Sequence, residues 1–213
     1  MKATRWNPAE FAAWHEASPL EKRCRVWEQL ESPYKRLYVE WATFRRFASV
    51  VHMGVRPDNA ITLDPDSSSP PPPDIACSVR GVPTFFELGE VVGQGLARAA
   101  SEAEKKRESV FGGAVDIWGP LEYVLNQKCG KNYCAAAAPL HLVLYYAPGR
   151  QASFARFVAD RLKEKEQWIV DRVTAGPFTK VWLYDDHEGS VLATFTSQGI
   201  ALRGPAGTSF SFN

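Results

Sequence analysis

Residues 73–92 read PDIACSVRGVPTFFELGEVV, and this stretch decides the fold. Ile75 to Val79 is a short β-prone run and Arg80-Gly81 is a turn dipeptide. Val82 to Val92 returns with Phe85, Phe86, Leu88 and Val91. Two such runs around a two-residue turn predict an antiparallel hairpin over 74–79 and 82–92. Asp74 opens the first strand and Glu87 sits on the return strand, so pairing would bring the two carboxylates close together. Adjacent carboxylates repel unless a cation lies between them, and two oxygen donors of this kind suit a hard divalent metal.

Downstream of the hairpin, LARAASEAEKKRES has helix-forming composition, and GPLEYVLNQKCG reads as a helix with Gly130 just past its end. LHLVLYYA, residues 140–147, is a continuous apolar run between Pro139 and Pro148. It is expected as a buried central strand. ASFARFVADRLKEKEQW follows as one amphipathic helix. Residues 179–185 and 190–196 form a second hairpin around Asp185, Asp186 and Gly189. Upstream, three helices begin at Asn7-Pro8, Ser18-Pro19 and Ser32-Pro33, where a polar cap precedes proline at the first helical position. The third carries one stripe through Leu37, Trp41, Phe44, Ala48 and Val51.

Helices flanking a mixed sheet give an α/β sandwich. The expected organisation is an N-terminal helical segment over 1–53, a Pro/Ser-rich loop over 54–73, an α/β core over 74–200 and a loose tail over 201–213. The loop ends in Pro70 to Pro73, and 64–73 is expected to be exposed.

The same residues resemble the PD-(D/E)xK nuclease superfamily. Pro73-Asp74, a hairpin, Glu87-Leu88-Gly89, a helix and then the strand 141–147 stand in the family's order. LNQKCGKNYCAAAAPLHLVLYY is also similar to the helix-then-lysine stretch of many bacterial members. The resemblance covers about residues 33–147. It implies a restriction-endonuclease-like core and metal-dependent phosphodiester cleavage of DNA, with Asp74 and Glu87 holding Mg²⁺ or Mn²⁺. It also implies nucleic acid as partner, DNA over RNA. The sequence departs from the family at one position, because the motif lysine is replaced by Gly89. Lys105 or Lys106 on the following helix, or less simply Gln94, are the replacements considered. Glu90 is a further acidic candidate, and Glu40 a weaker one. Arg45, Arg46, Lys128 and Lys131 are assigned to backbone phosphates. The alternative is an inactive nuclease-like fold that binds nucleic acid or protein as a regulatory module, and Gly89 favours it.

Composition bounds these readings. The chain has 213 residues, is 45% hydrophobic and carries a net charge of +1. That is enough for a packed core and excludes general disorder. Near-neutrality argues against a non-specific polyanion binder. The charge is uneven along the chain: residues 20–56 are net +4 and residues 57–79 net −4. MKATRWNPAEF has no apolar stretch after its charges, so no secretory leader and a cytoplasmic protein are expected. No apolar run is long enough to span a membrane. A homodimer is left open. Cys24, Cys77, Cys129 and Cys134 do not complete a zinc pattern, and the four histidines are scattered. Gly93-Gln94-Gly95 lacks the third glycine of a dinucleotide fingerprint. The seven tryptophans are expected in packing roles.

Overall fold

A computed structural model of the chain describes residues 32–53, 60–62, 70–92, 118–134, 138–147 and 155–202. Its centre is a seven-stranded mixed sheet in which spatial order follows chain order. The strands are β1 (Ala60–Thr62), β2 (Ile75–Val79), β3 (Val82–Glu90), β4 (Leu140–Tyr146), β5 (Lys180–Asp185), β6 (Ser190–Thr196) and β7 (Gly199–Leu202). β1, β2 and β3 pair antiparallel in sequence. β3, β4 and β5 are parallel, and β6 and β7 return to antiparallel pairing.

The hairpin of 75–90 forms as the sequence predicts. Arg80 and Gly81 both take positive φ, 52° and 83°. This is the backbone of a two-residue turn whose twist matches that of the strands it joins. β4 is the central strand and is buried along its whole length. A strand covered on both faces can be apolar at consecutive positions, which accounts for its unbroken run.

Helix α1 (Ser32–Val50) covers one face. Trp41, Phe44, Phe47, Ala48 and Val51 pack on Ile75, Phe86, Leu88, Val143, Tyr145, Trp182 and Tyr184. Phe44 meets Phe86 at 5.0 Å between ring centroids, and Phe47 meets Trp182 at 5.4 Å. Helices α2 (Trp118–Cys129), α3 (Ala155–Glu164) and α4 (Glu166–Ala175) lie on the other face. There Leu121, Leu125, Leu162, Ile169 and Val173 bury Leu142, Leu144, Val181 and Leu183. The connections β3 to β4 and β4 to β5 advance in the same direction across the sheet. Crossovers of one hand therefore place their helices on one face.

Several expectations change. Residues 60–62, read as loop, form edge strand β1. Three residues carry too little pattern to announce themselves, and the available edge of β2 gives them partners. The proline run is exposed at Pro70 and Pro71, but Pro73 is buried. The Pro71 carbonyl accepts a hydrogen bond from the Cys134 N–H at 3.0 Å, which ties the approach to β2 against the chain leaving α2. The single helix expected over 152–168 is two helices that break at Lys165. Gly130 ends α2 without positive φ; its N–H bonds the Asn126 carbonyl at 3.1 Å, closing a final turn that needs no left-handed residue. The sheet also continues through β7 to Leu202. The helices expected at Asn7, at Ser18 and over 96–109, and most of the tail, lie outside the described residues. No described helix is long and apolar enough to cross a membrane.

Candidate active site

The site grows from the register of β2 on β3. Ile75 pairs with Phe86, so the next residues outward, Asp74 and Glu87, face each other across the strands. Phe86 and Leu88 point into the α1 layer. Alternation along β3 therefore turns Glu87 and Gly89 toward α2. Both carboxylates are buried, Asp74 at 7% and Glu87 at 4% exposure.

Each is held by the backbone of the other strand. Asp74 Oδ2 accepts the Leu88 N–H at 2.8 Å, and Glu87 Oε2 accepts the Asp74 N–H at 3.3 Å. Glu87 Oε1 is taken by Lys128 Nζ, in a direct ion pair from the last turn of α2. A helix C-terminus favours a cation at that place. Burial, and after it the charge of Asp74, pushes the Glu87 carboxyl above its ordinary range; Lys128 and Lys131 oppose the rise without cancelling it.

Gly89 explains how the lysine arrives. A Cβ at this position would stand 2.9 Å from Leu144 Cδ2 and 2.9 Å from Val124 Cγ1, and 3.6 Å from Lys128 Cε. The missing side chain lets α2 lie directly on β3. A lysine at 89 would meet this packing at its first carbon, whereas the lysine on α2 reaches the acid from above.

Tyr133 completes this wall. Its hydroxyl donates to the Lys128 carbonyl at 3.5 Å, and its ring packs 5.6 Å from that of Phe178. Burial, and then the Glu87 charge, pushes its phenol far above the ordinary value. Sequence reasoning missed Tyr133, and it placed Lys128 on phosphates instead of on Glu87. Lys128 stands in the last turn of α2 over Gly89, a juxtaposition that only the packing of helix on strand creates.

The other expected residues distribute as follows. Glu90 pairs in register with Tyr145 and belongs with the α1 side. Burial raises the Tyr145 phenol, and the charges of Glu90, Glu40, Asp74 and Asp186 raise it further. Glu40 is itself buried. Lys131 is exposed within electrostatic reach of Glu87. Arg45 lies over the Trp41 ring at 5.9 Å. Arg46 grips Asp186 through two 2.6 Å bonds, Nε to Oδ1 and Nη2 to Oδ2. Lys105, Lys106 and Gln94 lie outside the described residues. Among those described, Cys77, Cys129 and Cys134 are free thiols, and burial pushes Cys77 up to about 12 and Cys129 to about 11.

Among the described residues, no group of three or more Asp, Glu, His or Cys side chains converges as a ready metal cage. The donor set at the hairpin is two carboxylates. That suits Mg²⁺ or Mn²⁺, since magnesium is commonly held by one or two carboxylates and keeps several waters. The Lys128 ammonium is held by Glu87.

The chain matches no family model, no curated protein and no solved structure.

Proposed function

We propose that this protein is a metal-dependent phosphodiesterase that cleaves DNA, built on a restriction-endonuclease-like core. One observation carries the reading: Asp74 and Glu87 stand side by side at the end of a hairpin, with Lys128 delivered onto Glu87 from α2. The antiparallel β1–β2–β3 meander followed by a parallel step to β4 supports the same core. In this reading Lys128 supplies the unmatched motif lysine; Lys105 and Lys106, the residues expected from the sequence, lie outside the described residues.

In this reading Asp74 and Glu87 hold Mg²⁺ or Mn²⁺, which would lower the pKa of a bound water and stabilise charge on the phosphate. The strand N–H groups of Leu88 and Asp74 fix both carboxylates, so little reorganisation is needed when charge develops. Lys128 orients and polarises the attacking water beside Glu87. Lys131, at the exposed edge, receives a backbone phosphate.

The test is cleavage of plasmid and linear DNA with Mg²⁺ or Mn²⁺, with EDTA controls. Metal-dependent cleavage that Asp74→Ala abolishes supports the proposal. A second reading, an inactive module that binds nucleic acid or protein, is favoured by the Lys128–Glu87 pair, in which the lysine supplies Glu87 with a cation of its own. That reading forecasts no turnover on DNA or RNA. Salt-sensitive binding would identify a nucleic-acid module.

A further inference from the structure

Glu87 has two claims on it. Asp74 and Glu87 are buried together, and Lys128 pairs directly with Glu87, with its side chain 15% exposed. The backbone bonds from Leu88 and Asp74 position the carboxylates but add no net charge. Glu87 Oε1 cannot serve the ammonium and a divalent cation equally well. The two cations would occupy overlapping space and repel each other.

Lysine is suited to giving way. Its charge sits on a flexible four-carbon stem with no fixed fork to break. The stem is anchored by the close seat of α2 over Gly89, where Lys128 Cε passes 3.6 Å from the place a Cβ would occupy. An ammonium displaced from Glu87 therefore remains at the mouth of the site.

We propose that Lys128 is a displaceable counter-ion: it neutralises Glu87 when no metal is bound, and a divalent cation releases it toward the attacking water and scissile phosphate. This deepens the nuclease reading and rests on it for the role of the released lysine. The competition itself needs only the two acids and the lysine. It makes the resting site stable and unreactive, and couples metal loading to the arming of the catalytic cation. Such coupling is reciprocal, so the lysine weakens the metal by the same factor that the metal weakens the lysine's hold on Glu87.

The experiment is calorimetric titration of the full chain with Ca²⁺, a hard cation with the same oxygen preference, alongside thermal melts. Lys128→Met should bind Ca²⁺ about tenfold more tightly than the parent protein, within the usual span of site–site coupling. Lys128→Arg, which keeps the charge, should stay close to the parent and guards against a folding artefact. Without metal, Lys128→Met should melt earlier, and Ca²⁺ should recover more of its melting temperature than in the parent. Equal or weaker Ca²⁺ binding by Lys128→Met, or none by either protein, overturns the proposal. Tighter Ca²⁺ binding without DNA cleavage by the parent leaves the counter-ion role standing and removes the nuclease reading. Cleavage with unchanged Ca²⁺ affinity does the reverse.

Discussion

Two carboxylate–cation pairs sit on opposite faces of the sheet, and they are built differently. On the α1 face, Asp186 follows β5 and is gripped by Arg46 through two 2.6 Å bonds, while Thr43 Oγ1 donates to it at 3.3 Å. Thr43 and Arg46 are one turn apart on α1 and hydrogen-bond each other at 3.2 Å. There the buried charge meets a planar fork and a hydroxyl. On the α2 face, Glu87 meets one lysine nitrogen and the Tyr133 hydroxyl, and has a second buried carboxylate beside it. Bidentate arginine suits a permanent clamp, and lysine suits a charge that must move. One pair anchors a helix to the sheet. The other holds two carboxylates side by side, an arrangement that functional sites favour.

The largest expected effect strikes the paired acids. Asp74→Ala and Glu87→Ala should each reduce metal-dependent DNA cleavage to background, read as initial rates with Mg²⁺ or Mn²⁺. Retained cooperative melts would show that the fold survives. Persisting activity in either variant would remove the site from the chemistry.

Lys128→Ala comes next, with a loss of about 10²- to 10³-fold in kcat, the scale of one positioned electrostatic catalyst. Arg46→Ala should leave kcat within about threefold of the parent, a change of under 1 kcal/mol in the barrier. Similar losses for both cations would erase the contrast between site and clamp.

The third effect is on stability. His141 is buried against Phe86, 5.3 Å between rings. Burial, with the Lys180 charge behind it, lowers its pKa to about 4. Below the ordinary 6.5 the unfolded chain binds a proton that the fold refuses. Stability therefore rises with pH between about 4 and 6.5, and up to about 3 kcal/mol is lost as pH falls through that window. Glu87 has the opposite slope, because its raised pKa makes stability fall as pH rises above 4.5. Urea midpoints of Glu87→Gln, compared between mildly acidic and neutral buffer, isolate the histidine. Adding His141→Gln to that background should flatten the difference.

The smallest effect falls on the clamp. Arg46→Ala leaves Asp186 buried with the Thr43 hydroxyl, and should cost about 2 kcal/mol in urea unfolding. That is less than for a fully buried pair, because the arginine side chain is 49% exposed. Its Ca²⁺ affinity should match the parent. A shift there would mean that the two faces are coupled through the sheet.

The local features were legible because their causes are local. Arg80-Gly81 between β-prone runs specifies a hairpin turn, and the spacing of Trp41, Phe44, Ala48 and Val51 specifies a helical stripe that is indeed buried. An apolar run between two prolines marks β4. Asp74 and Glu87 are opposed by the order of residues alone, because hairpin register follows from turn length.

The layered α/β arrangement was legible too, but which charged side chains meet when separate elements pack was not. Lys128 lies 41 residues from Glu87, and nothing in QKCGK distinguishes the lysine that turns inward from Lys131, which stays outside. The difference arises when α2 settles on β3 over Gly89, where a side chain would be blocked by Leu144 and Val124 at 2.9 Å. Arg46 read as a phosphate contact because Asp186 is 140 residues away. Residues 60–62 became a strand only because β2 offered an edge. By itself the sequence determined the hairpin, the central strand, the α1 stripe and the opposed acids, each the product of short-range periodicity and turn chemistry. The tertiary structure alone decided which lysine joins the acids and which arginine serves as a clamp, because charge pairing follows the distance between packed elements, and sequence separation does not measure that distance.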